Sequence, residues 1–90
     1  DLLCEVPINL AQALLGSRVR VRTVNGKKVV LRIPPGTQSG TTFRIRDQGM
    51  GPEGNRGDQL VRVEIRVPET LSERGQELAR ELAESEEIPY

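Results

Sequence analysis

Three short spacings in this 90-residue chain could carry chemistry. Gly49-Met50-Gly51-Pro52-Glu53-Gly54 has the G-x-G-x-x-G spacing of a dinucleotide-binding loop. That fingerprint works only when a helix follows and turns its N-terminal amides onto a pyrophosphate. Here Pro52 interrupts the run and a strand pattern follows, so the segment reads as a hairpin loop. Arg56-Gly57-Asp58 spells the integrin tripeptide, yet no secretory context accompanies it, and Gly57 and Asp58 suit a turn and its capping. Arg18, Arg20 and Arg22 set three guanidinium groups on one face of a strand, where they can contact phosphates. Exposed stripes of this kind are common on solvated sheets, and a net charge of zero argues against strong non-specific DNA binding. A solvated face is the preferred reading, with DNA contact through the comb as the alternative.

What is missing restricts the chemistry further. The chain has no histidine, so the usual acid-base group at neutral pH and the common metal-ligand sets are absent. No acidic pair stands in a recognisable catalytic context, and neither an enzyme nor a cofactor or metal site is expected. Phe43 and Tyr90 are the two aromatic residues, which leaves little for nucleic-acid bases to stack on. Cys4 is the single cysteine; it sits in an apolar alternation and reads as a small core residue. Internal disulfides are thus excluded, and a reducing, cytoplasmic location is expected. No apolar run is long enough to span a membrane. The chain begins at Asp1 with no methionine or signal peptide ahead of its first strand, which points to a piece of a longer protein.

The elements that would position these residues are mostly strands. Over residues 2–8, Leu2, Cys4, Val6 and Ile8 share one face, and Pro7 predicts a sheet edge because it cannot donate to a ladder. Asn9 is a candidate N-cap for a helical turn over residues 10–15, with Leu10, Ala13 and Leu14 at core spacing and Gly16 closing it. In residues 17–23, Val19, Val21 and Thr23 oppose Arg18, Arg20 and Arg22. Asn25-Gly26 then predicts a hairpin, since both residues tolerate positive φ. Residues 27–33 return with Val29, Leu31 and Ile33 on one face, and Pro34-Pro35-Gly36 ends that strand. Phe43 and Ile45 alternate with Arg44 and Arg46 in a short strand, residues 47–58 form a loop, and Val61, Val63, Ile65 and Val67 line one face of a long strand stopped by Pro68.

Beyond Pro68 the period becomes helical. Ser72 is the N-cap, and Leu78, Ala79 and Leu82 form an apolar stripe with Leu71 one turn before it. Gly75 costs such a helix about 1 kcal/mol relative to alanine, so partner or tertiary contacts must support it. The acidic tail past Glu84 is expected to fray. Ninety residues are enough for one modest core. The expected fold is mainly β: a small, antiparallel-rich, sandwich-like domain of five strands, with one short internal helix and one C-terminal helix.

The segments, taken in order, resemble one family. N-L-A-Q-A-L-L-G follows the first strand and precedes Asn25-Gly26. I-P-P-G-T-Q-S-G comes next at residues 33–40, then F-R-I-R-D-Q-G-M at 43–50, R-G-D-Q-L-V-R-V at 56–63 and V-P-E-T-L-S at 67–72. This order is similar to the C-terminal substrate-binding region of DnaJ-type co-chaperones, in particular its second β-subdomain and terminal helix. The resemblance implies a β-subdomain over residues 1–68 and a dimerisation helix and tail over 69–90. It implies a module that holds unfolded client polypeptide, dimerises the parent protein and delivers clients to a DnaK-type ATPase. The family's J-domain, Gly/Phe linker and C-x-x-C zinc repeats do not occur in this stretch, so it should neither stimulate an ATPase nor bind zinc. Gly75 departs from the helix-forming residue usual at its position.

The resemblance also directs attention to particular residues. The strand after Gly16 matches the client-binding strand of the neighbouring subdomain, which makes Val19, Val21 and Thr23 candidate client contacts by β-addition. Equally, those three can fill the core, as one face of any half-buried strand does. Leu78 and Leu82, supported by Leu71, are the candidate dimer contact. Arg18, Arg20 and Arg22 remain the candidates for the DNA alternative.

Overall fold

The computed structural model describes residues 2–45 and 57–90. The glycine-rich run at 49–54, Arg46 and Arg56 lie outside these residues. In chain order the elements are β1 (Leu2–Asn9), α1 (Leu10–Leu15), β2 (Ser17–Arg22), β3 (Lys28–Ile33), β4 (Thr42–Ile45), β5 (Gln59–Arg66) and α2 (Glu73–Ser85). A three-stranded sheet has the order β1-β5-β4, and β2 pairs with β3 in a second sheet. Both β2–β3 and β4–β5 are antiparallel, whereas β1 runs parallel to β5 from Leu2↔Gln59 to Asn9↔Arg66. Pro7 is tolerated because β1 is an edge strand.

The alternation in the sequence sets the core. Ile8, Val61 and Val63 from the larger sheet meet Val21, Leu31 and Ile33 from the smaller, with Ala13 of α1 beside them. Two sheets packed through one apolar layer make the molecule sandwich-like and mainly β. Val61 and Val63 have no exposed surface because β5 is flanked by strands on both sides.

The P-P-G-T-Q-S-G turn fastens the sheets and α1 together. Gly36 and Thr37 both donate their N–H to the carbonyl of Ala13, at 2.8 and 3.1 Å. Farther along, the Ile65 amide donates to Ser39 Oγ at 3.0 Å, and the Gly40 amide to the Val63 carbonyl at 2.8 Å. Gly16 lies so close to this turn that a Cβ there would stand 3.0 Å from both the Ile33 carbonyl and the Pro35 ring.

Several local expectations need correction. Asn9 caps α1 through a reciprocal capping box with Gln12, but only Ala13 is buried; Leu10 and Leu14 face outward. Six residues cannot present three apolar side chains to one side of a thin sheet edge. The hairpin is not a two-residue turn with positive φ at both Asn25 and Gly26. Gly26 alone has positive φ, its amide donates to the Thr23 carbonyl at 3.0 Å, and Thr23 N–H donates to the Lys27 carbonyl at 2.7 Å. That is a three-residue loop in which glycine takes the left-handed position. Val67 lies past the end of β5 and is exposed rather than continuing the buried face.

Candidate functional site

The C-terminal helix carries the first candidate surface. Ser72 caps it by accepting the Gly75 amide on Oγ at 3.0 Å, and Glu73 in the first turn complements the helix dipole. None of its residues is buried, and among the described residues it touches the sheets only marginally. An amphipathic helix with its apolar stripe in water is an incomplete structure. Leu71, Leu78 and Leu82 are 44%, 48% and 42% exposed. They line one wall of an open groove of about 590 Å³, with Leu10, Val67 and Pro68 on the other.

The three leucines expected from the sequence therefore do come together. Leu10, Val67 and Pro68 were missed, because Leu10 was assigned to the core and Val67 to the strand face. Their signal lay in position: one follows an N-cap and the others follow the last strand, where chain direction changes. Gly75 also gains an explanation. A Cβ at Gly75 would sit 3.3 Å from both Leu71 Cβ and Ser72 Oγ, so glycine makes room for Leu71 to fold back on the first turn.

The second candidate surface is β2. Val21 and Thr23 are buried at 5% and 3% exposure, and Val19 is half-buried. Of the two sequence readings, core filling fits the burial of Val21 and Thr23. What β2 leaves open is its backbone edge. Thr23 and Lys27 form a hydrogen-bonded pair, and the register alternates from there. Val21, Val19 and Ser17 therefore bond to β3, while the amides and carbonyls of Arg18, Arg20 and Arg22 point away from it. Gln59 closes one end of this edge. Its Nε2 donates to the Arg22 carbonyl at 3.4 Å, and its Oε1 accepts the Val24 amide at 3.0 Å. The side chains of Arg18, Arg20 and Arg22 are exposed and form no ion pair among the described residues.

Comparison with known proteins identifies the family. The family profile of the DnaJ C terminal domain matches residues 1–68. The chain belongs to that family. It is similar to the chaperone protein DnaJ of Brevibacillus choshinensis, with 51% identity over 86 residues. It is also 48% identical over 85 residues to the chaperone protein DnaJ of Opitutus terrae. These alignments cover 93% and 92% of this chain but 23% and 22% of those relatives, so the chain spans less than a quarter of a DnaJ chaperone. The relatives are named as chaperones and not as enzymes. In this DnaJ C-terminal domain, α2 lies beyond the stretch that the profile matches. No helix among the described residues is long and apolar enough to cross a membrane.

Proposed function

We propose that this chain is the client-holding and self-pairing part of a DnaJ-type co-chaperone. Unfolded polypeptide adds as a strand along the open edge of β2. A second copy covers the groove of Leu71, Leu78 and Leu82, so that residues 69–90 serve as the dimerisation segment of the β-subdomain over 1–68. Within the longer parent protein, clients held in this way pass to a DnaK-type ATPase.

One observation carries the reading: α2 buries none of its residues against its own chain. Burying a single leucine side chain is worth about 1.5–3 kcal/mol, and three of them line one stripe. A second copy offers the same stripe, which is the self-complementarity that an isologous contact requires. For the client, backbone bonding at β2 asks nothing of sequence, as a holder of many unfolded chains requires.

The test of pairing is sedimentation equilibrium on the chain and on Leu78→Glu/Leu82→Glu. A dimer that becomes monomeric in the double variant, with unchanged circular dichroism, supports the proposal. A wild-type chain that stays monomeric, or a variant that stays dimeric, overturns it. For the client, a backbone-amide titration with a reduced, alkylated unfolded protein should perturb Arg18 and Arg20. Undisturbed β2 amides would remove the client reading while leaving the pairing untouched.

A further inference from the structure

The net charge of zero conceals a separation. Residues 1–68 carry eleven basic and six acidic side chains, a net of +5, and residues 69–90 carry two basic and seven acidic, a net of −5. Much of the positive excess lies on the outer face of the small sheet. Arg18 stands directly across from Arg32, and Arg22 from Lys28, with Arg20 opposite Val30 between them. These are the non-hydrogen-bonded pairs of the ladder, where facing side chains lie closest. All six side chains are exposed, and the five charged ones form no ion pair among the described residues. Like charges directly opposite one another disfavour the sheet that holds them, so this face lacks the counter-charge that would relieve it.

We infer that the β2 edge selects extended polypeptide segments with acidic residues at alternate positions. This rests on the strand-addition reading above and names the class of client that it favours. A strand added to β2 places every second side chain on the solvent face, about 6.8 Å apart, beside Arg18, Arg20 and Arg22. Its remaining side chains turn toward the half-buried Val19 and favour apolar residues there. Asp or Glu at positions i, i+2 and i+4, with apolar residues between, matches both demands at once. Gln59 fixes where the match ends, because it already occupies the Arg22 carbonyl.

Nucleic acid suits this edge less well. Phosphates only accept hydrogen bonds, so the outward carbonyls of Arg18 and Arg20 would face anions. A polypeptide strand supplies donors and acceptors in alternation and satisfies both.

The experiment uses the 90-residue chain and three synthetic nonapeptides with valine at alternate positions: one with Glu between, one with Gln and one with Lys. Amide shifts locate binding and fluorescence anisotropy gives Kd. The Glu peptide should perturb the Arg18 and Arg20 amides. It should bind about tenfold more tightly than the Gln peptide, as expected for a few exposed ion pairs acting together, and the difference should vanish in Arg18→Gln/Arg20→Gln. The Lys peptide should not bind. Equal binding of Glu and Gln peptides at β2 overturns the acidic preference and leaves strand addition standing. If neither peptide perturbs β2, strand addition itself fails. Shifts on the far edge of β3, or a duplex DNA that binds this face while the Glu peptide does not, also overturn the inference.

Discussion

Gln59 has no exposed surface, yet it sits in line with Val61 and Val63 on the inward face of β5. Its side chain reaches across to the hairpin of the other sheet, where it bonds the Val24 amide and the Arg22 carbonyl, and it also lies 3.7 Å from Cys4 Sγ on the neighbouring β1. It is the polar tie between the open end of the sandwich and the hairpin. Replacing it with alanine takes this partner from the Val24 amide and the Arg22 carbonyl and leaves a cavity behind. The expected loss is about 3 kcal/mol, read as a lower urea midpoint with an unchanged m-value. A loss below 1 kcal/mol would mean that the hairpin is held without it. The alternation of Val61, Val63 and Ile65 was legible from sequence, and counting back by two would have reached Gln59. A glutamine in that phase gives no apolar signal, so the strand's inward face reads from sequence as starting at Val61.

At the scale of elements, caps decide more than periodicity does. Where the sequence reads as a fraying tail past Glu84, α2 ends at Ser85 and is closed by a Schellman motif. Ile88 N–H donates to the Ala83 carbonyl at 2.8 Å and Glu87 N–H to the Glu84 carbonyl at 3.3 Å. Glu87 occupies the left-handed position, with φ of 55°, where glycine is the usual residue, and Pro89 follows. A motif defined by backbone bonds and filled by a glutamate cannot be read from residue types. Glu87→Gly should stabilise the helix by about 1 kcal/mol, since it removes the Cβ clash and a negative charge beside the helix's negative end. Far-ultraviolet dichroism of the chain through its melt should report a higher midpoint for the helical signal. At the other end, Gly75→Ala sets a helix-propensity gain of about 1 kcal/mol against contacts of 3.3 Å with Leu71 and Ser72. Stability should change by less than 0.5 kcal/mol, while displaced Leu71 weakens pairing; sedimentation and melting on one sample separate the two. By contrast, the stripe of Leu71, Leu78 and Leu82 was visible in the sequence, because helical spacing records which residues share a face whether or not anything covers it.

Across the whole molecule, the charge separation sets salt against itself. Pairing through α2 brings two segments of net −5 together, whereas an acidic client on β2 joins opposite charges. Raising ionic strength from 0.05 to 0.5 M shortens the Debye length from roughly 14 to 4 Å, which weakens repulsion in the first case and attraction in the second. The dimer dissociation constant should therefore fall with salt, and the Kd of the Glu peptide should rise. Apolar burial at the leucine groove is not screened, so the first change is expected to be several-fold and not a switch. Sedimentation equilibrium and anisotropy on the same salt series measure both. A dimer dissociation constant that rises with salt would mean that pairing does not bring the two acidic helices together, and a Glu-peptide Kd that falls would mean that opposite charges do not meet at β2.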